Sequence, residues 1–263
     1  GGEWGQVAKV ISISNQKGGV GKTTTAVNLS ASMGLNNKKT LIIDVDPQGN
    51  TTSGLGFDRR EISLSSYDLL VNDALAEEAI RETSFKNLDI IPSNMNLAAA
   101  ELELIDVNQR ESRLKSKLSR IKENYSYVII DCPPSLGLVT TNAACASDTV
   151  LIPMQCEYYA LEGLSQLVNT IKRLKKFNAR LGIEGVLMTM YDSRLKVTEQ
   201  VVNEVKKFFP NKVFHTVIHR GVRLSEAPSF GKPVYYYDKS SKGAKEYIAL
   251  AKEIIKNDKI KGG

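Results

Sequence analysis

The sequence predicts an α/β protein built on a doubly wound, mainly parallel sheet with helices on both faces. Three observations lead there. Short, near-continuous apolar runs rich in Val and Ile recur along the chain, as in strands buried on both faces. Segments of helical period separate most of them. The first run passes through a glycine-rich loop straight into a helix-like segment.

Taken in order, the strand-like runs are "VAKVISIS", "TLIID", "LDIIPS", "YVIIDCPP", "TVLIPM", "GVLMTMY", "KVFHTVI" and "PVYYYD", each ending near Asp, Pro, Asn or Ser. The first meets "NQKGGVGKTTT" and then "AVNLSASMG", a strand, glycine loop and helix. In "ALEGLSQLVNTIKRLKKFN", Leu161, Leu164, Leu167, Val168, Ile171 and Leu174 share one stripe, while Lys172, Arg173, Lys175 and Lys176 fall mostly outside it. The last segment, "KEYIALAKEIIKNDKIKGG", sets Tyr247, Ile248, Ala251, Ile254 and Ile255 on one side, which suits a closing helix laid on the sheet. No internal repeat or low-complexity linker interrupts the pattern. A single domain over 7–257 is expected, with 1–6 and 258–263 as tails.

Composition narrows the function. With 263 residues, 42% hydrophobic and 24% charged, the chain resembles an ordinary globular domain. It has no apolar run of membrane-spanning length and no leader-like start, so a cytoplasmic location is expected. Cys132, Cys145 and Cys156 lack metal-type spacing and read as buried reduced thiols, and a zinc site at His215 and His219 is not expected. The net charge of +6 is unevenly spread: residues 1–171 carry −5 and residues 172–263 carry +11. A one-sided basic third suits a polyanion, either nucleic acid or an acidic membrane.

The glycine loop carries the chemistry. Gly18, Gly19 and Gly21 let backbone N–H groups turn inward around phosphate oxygens as the loop passes Val20, and the next helix presents its positive end. Lys22 reaches β and γ phosphates, Thr23 supplies a hydroxyl to Mg²⁺, and Thr24 adds a donor. This makes the expected fold that of the P-loop NTPases. The loop departs from G-x-x-x-x-G-K-[ST]: Gln16 stands where its first glycine belongs, and Lys17 follows. Lys17 is either a solvated loop cation or a finger reaching a neighbouring subunit's nucleotide. Two other runs end in carboxylates, Asp44 and Asp46 in "LIIDVDPQGN" and Asp131 in "VIIDCPPS". Asp131 is the natural group for Mg²⁺ or its water, and Asp46, in a turn with Pro47 and Gly49, is placed to orient the attacking water.

Six separated motifs, "KGGVGKTTT", "DVDPQGN", "VIIDCPPSLG", "CEYYALEGLSQL", "TMYDSR" and "VRLSEAPSFGKP", resemble the deviant Walker A ATPases of the ParA/Soj type, partition proteins related to MinD. The resemblance runs from about Val7 to the final helix. It implies that Lys17 crosses an ATP-sandwich homodimer to the partner's phosphates. It also implies that Asp46 is the catalytic aspartate, that Asp44 and Asp131 surround Mg²⁺, and that adenine lies against "VIHRGVR" near His219 and Gly221. His219 stands where relatives usually carry proline. Arg194 and Arg223 match arginines that bind DNA backbone, with Arg220 nearby and Lys242 extending the patch. Such contacts predict sequence-independent, salt-sensitive binding to double-stranded DNA. The implied cycle is ATP-driven dimerisation on the nucleoid and release by hydrolysis, slow until stimulated by a ParB-type protein bound at centromere-like sites.

The competing reading is a MinD-like, membrane-cycling ATPase that positions division, with the last segment as its lipid-binding helix. An electron-transfer ATPase like the nitrogenase iron protein would need cluster cysteines in glycine-rich loops, and neither Cys132 nor Cys145 sits in one. A scaffold without turnover fits poorly with Lys17, Lys22, Thr23, Asp46 and Asp131 all present.

Overall fold

The computed structural model describes residues 7–15, 20–156 and 160–262. Seven strands form one sheet: β1 (Lys9–Ile13), β2 (Thr40–Asp44), β3 (Arg81–Glu82), β4 (Leu88–Ile91), β5 (Tyr127–Asp131), β6 (Thr149–Gln155) and β7 (Gly182–Thr189), in the order β3-β4-β2-β5-β1-β6-β7. Every pairing is parallel except the short β3 edge against β4. The five longer helices are α1 (Val20–Leu35), α2 (Leu138–Ala146), α3 (Ala160–Phe177), α4 (Lys196–Phe208) and α5 (Lys242–Lys261).

Alternate residues of the central strands face opposite layers. Val10, Leu41, Ile43, Val128 and Ile130 pack with Val139 and Ala143 of α2. Ile11, Ile13, Ile42 and Ile129 pack with Leu29 and Met33 of α1 and with Tyr247, Leu250 and Ile254 of α5. Burying both faces explains why these strands are apolar throughout instead of alternating. A third cluster joins Val150, Ile152, Val186 and Met188 to Leu164 and Leu167 of α3 and Val201 and Val205 of α4.

The register builds the site. On β2 and β5, Asp44 is the direct partner of Asp131, and Ile13, the last residue of β1, pairs with Asp131 from the other side. Both carboxylates therefore emerge at the sheet edge from which the phosphate loop departs.

Three elements differ from expectation. "PVYYYD" forms a short helix, Val234–Tyr237, and not a strand. Pro233 caps it, the Val234 N–H donates to Asn28 Oδ1 at 2.8 Å, and Tyr236 packs on Phe85 with ring centroids 4.7 Å apart. Local proline geometry and aromatic packing onto α1 and its neighbours override the β propensity of the tyrosines. "KVFHTVI" runs beside β7 only through isolated bridges, Val186 to Val213 and Tyr191 to His219. Finally, α5 continues past the expected end of the domain at 257. Asp258 accepts from Lys9 Nζ at 2.5 Å and from the Tyr127 hydroxyl at 2.6 Å, fastening the last turn to the strands.

Candidate nucleotide site

The site lies at the carboxyl ends of β1, β2 and β5, where ligands of open parallel sheets bind. Lys17, Gly18 and Gly19 fall outside the described residues, as does Gln16. Val20 opens α1 and Gly21 follows it, so Lys22, Thr23 and Thr24 lie in the first turn of a 16-residue helix whose positive end faces the cleft.

Lys22 is 3% exposed, and its ammonium is held by Asp131 and, at 3.3 Å, by Asp46 Oδ2. Burial lowers its pKa, but Asp131 and then Asp46 more than reverse this and hold it above the ordinary lysine range. Asp131 also accepts from the Thr23 hydroxyl at 3.2 Å and the Thr51 hydroxyl at 2.7 Å. The structure thus brings together Lys22, Thr23, Asp46 and Asp131 from three chain segments.

Asp44 plays another part. One carboxylate oxygen accepts from the Thr52 N–H at 2.9 Å and the Thr52 hydroxyl at 2.7 Å, and the other accepts from the Asp46 N–H at 3.1 Å. Both of its oxygens help to shape the loop. Burial first, and the charge of Asp131 second, raise its pKa to about 7. Ser93 closes the network, its N–H donating to Thr52 Oγ1 at 2.9 Å and its hydroxyl to the Asp46 carbonyl at 3.0 Å. Sequence reasoning missed Thr51, Thr52 and Ser93. The hydroxyl pair in "GNTTS", directly after the aspartate turn, was the available signal.

Arg59 supports the Asp46 turn from outside. Its guanidinium donates to the carbonyls of Pro47, at 2.7 Å, and Gln48. Gly49 beneath it has φ +64°, and a Cβ there would collide with the arginine side chain.

A cavity of about 430 Å³ opens beside this cluster, lined by Lys22, Thr23, Thr24, Asp46, Pro134 and the 225–232 segment. A second depression of about 640 Å³ is lined by Met190, Tyr191, Asp192, Arg194, His219, Arg220, Gly221 and Lys242. Ser225 borders both. His219 is turned onto Glu246, Nδ1 to Oε2 at 2.6 Å, and stands edge-on to Tyr191. The residues expected to touch adenine and three of those expected to touch DNA therefore share one depression. Arg194 forms a bidentate pair with Asp192 at 2.9 Å, and Arg223 pairs with Glu226 at 3.0 Å and Asp238 at 3.3 Å. Both are exposed pairs, which cost little to exchange for phosphates.

For a metal, the oxygens of Thr23 and Asp131 at the helix start form a hard donor set suited to Mg²⁺. Among the described residues no group of three or more His, Cys, Asp or Glu could hold a metal ion.

The fold and cluster define a class, and the comparisons agree. The family described as AAA domain matches residues 8–183. The chain is 56% identical over 252 residues to the sporulation initiation inhibitor protein Soj of Bacillus subtilis (strain 168), covering 95% of this chain and 100% of that protein. It is 51% identical over 256 residues to the chromosome partitioning protein ParA of Myxococcus xanthus (strain DK1622), covering 97% and 90%. Cobyrinic acid a,c-diamide synthase from Mycobacterium smegmatis, solved with bound ADP and magnesium, is 33% identical with a TM-score of 0.84 over 96% of each chain. The site is that of a P-loop nucleotide-binding AAA domain. Within that class, the chain belongs to the ParA/Soj family of partition ATPases.

Proposed function

We propose that this chain is a partition ATPase whose ATP-bound homodimer holds double-stranded DNA without sequence preference and whose ParB-type partner triggers release by stimulating hydrolysis. The observation that carries the reading is the convergence of Lys22, Thr23, Asp46 and Asp131 at three strand ends.

Lys22 is the group that exchanges its carboxylate partners for β and γ phosphates when ATP enters. Asp46, freed from that ammonium but still fixed by its backbone, accepts a hydrogen bond from the attacking water and orients it. Thr23 and Asp131 would hold Mg²⁺, which would supply positive charge for the phosphate oxygens. Lys17 of each subunit reaches the other's phosphates, which makes the closed dimer depend on ATP. Closure doubles the basic patch of Arg194, Arg220, Arg223 and Lys242, so that weak phosphate contacts act together. The full-length similarity to Soj and ParA supports this output.

Against the membrane-cycling alternative, Tyr247, Leu250, Ala251 and Ile254 of α5 are buried against α1 and the sheet. Among the described residues no helix is long and apolar enough to cross a membrane.

Phosphate release and sedimentation velocity test the reading together. Wild type should hydrolyse ATP, Lys22→Ala should not, and Asp46→Ala should sediment as a dimer in ATP and a monomer in ADP. An active Lys22→Ala protein, or an Asp46→Ala protein of equal size in both nucleotides, would overturn it.

A further inference from the structure

The segment 215–219 runs beside β7 without forming a strand, and two carboxylates of α5 take up its backbone instead. Glu253 accepts the N–H groups of His215 and Thr216, each at 2.9 Å, and Glu246 Oε1 accepts that of His219 at 3.0 Å. Glu246 then uses its other oxygen on the His219 ring, Oε2 to Nδ1 at 2.6 Å. A carboxylate only accepts, so Nδ1 carries the proton. In the neutral ring Nε2 is a bare acceptor, and it has no partner among the described residues. A proline at 219 would have neither the N–H nor the ring nitrogen that Glu246 holds.

The ring borders the depression of about 640 Å³ together with Met190 and Tyr191. The Tyr191 ring meets it at 76° with centroids 5.2 Å apart, and the Tyr191 N–H donates to the Ile218 carbonyl at 3.0 Å, which sets the two side by side. Met190, directly after β7, has φ +53°. The other non-glycine residues described with positive φ, Asn37, Asn87, Gln109 and Asn211, all carry amide side chains. A strained methionine kept at the wall of a cavity is the kind of outlier that working sites retain. The depression adjoins the phosphate site: Ser225 borders both cavities, and the Thr189 hydroxyl at the end of β7 lies 3.6 Å from where a Cβ on Gly21 would stand.

We infer that His219, oriented by Glu246, selects the base of the bound nucleotide, Nε2 accepting a hydrogen bond from the 6-amino group of adenine; the inference rests on the nucleotide site above. Guanine presents O6 at the same place, acceptor against acceptor, and leaves Nε2 unpaired. A DNA phosphate also offers only acceptors, so on this rim it suits Arg194, Arg220 and Lys242, and not Nε2. One acceptor beside an aromatic ring suits a planar heterocycle bearing an amine.

Equilibrium binding tests this without turnover. The full chain with Mg²⁺ and a ribose-labelled fluorescent ATP is titrated with ATP, GTP or purine riboside triphosphate, which lacks only the 6-amino group. Wild type should bind ATP about tenfold tighter than purine riboside triphosphate, and GTP more weakly still. His219→Ala should bring ATP down to the level of purine riboside triphosphate. Glu246→Gln tests the positioning. Its Oε1 still takes the His219 N–H, so its amide nitrogen faces Nδ1 and donates, which moves the ring proton to Nε2 and turns the acceptor into a donor. ATP affinity should then fall about tenfold while GTP affinity rises. A merely structural Glu246 would weaken all three nucleotides alike, and that result would overturn its positioning role. Equal binding of ATP and purine riboside triphosphate by wild type, or an intact preference in His219→Ala, would overturn the inference while leaving the nucleotide site standing. If wild type binds none of the three, both fall.

Discussion

Replacing Thr52 with valine removes the hydroxyl that organises the Asp46 loop while keeping the shape of the side chain. Thr52 is fully buried, donates to Asp44 at 2.7 Å and accepts from the Ser93 N–H at 2.9 Å. Losing a hydrogen bond to a carboxylate costs about 1.5–3 kcal/mol, and leaving a buried N–H unpaired costs about 1–3 kcal/mol. The expected loss is about 3–5 kcal/mol, a large share of the roughly 5–15 kcal/mol that holds a domain together. Urea unfolding should show it as a lower midpoint at unchanged slope. Thr52→Ser keeps both bonds, loses one methyl group, and should cost about 1 kcal/mol. The deficit should also depend on pH. Asp44 is raised to about 7 by burial and Asp131, whereas the Thr52 bonds favour its charged form. Without the hydroxyl bond its pKa rises further, so the Thr52→Val deficit should grow as pH increases through 6 to 8, where the less supported carboxylate must ionise. A Thr52→Val protein within about 0.5 kcal/mol of wild type, or a Thr52→Ser protein equally damaged, would refute this account of the loop.

Other consequences are as direct. Asp258→Ala should destabilise the protein by about 1–3 kcal/mol, lowering Tm by about 2–4 °C per kcal/mol, because Asp258 pairs with Lys9 and Tyr127; an unchanged Tm would return 258–261 to the tail. Burial pushes the thiols of Cys132 and Cys156 up to about 12, so neither should react with a thiol reagent at pH 8 until the protein unfolds. Arg223→Ala should reduce DNA affinity and lower the salt slope of an ATP-bound dimer by about two, one phosphate contact per subunit; an unchanged slope would remove Arg223 from the interface.

The parallel sheet and the site's main carboxylates were legible because the chain states them locally. "TLIID" and "YVIID" are buried on both faces, and each ends in an aspartate at the same edge. Lys22 and Thr23 were readable from one loop for the same reason. What escaped was settled by tertiary contacts. "PVYYYD" reads as a strand until Asn28 and Phe85 reward a helix. The two-residue strand Arg81–Glu82 carries no apolar signal at all. Asp44 is plain in the sequence as a strand-end carboxylate, but its bonds to Thr52 and the Asp46 N–H show only in the fold. Arg59 is an ordinary charged residue until Gly49 lets it close on the Asp46 loop.

The central claim is that nucleotide state gates DNA binding. Fluorescence anisotropy of an arbitrary-sequence duplex with Asp46→Ala protein, in ATP and in ADP across a salt series, tests it most directly. Tight binding only in ATP, weakening steeply with salt, is the predicted result. Equal binding in ATP and ADP at every salt concentration would contradict it.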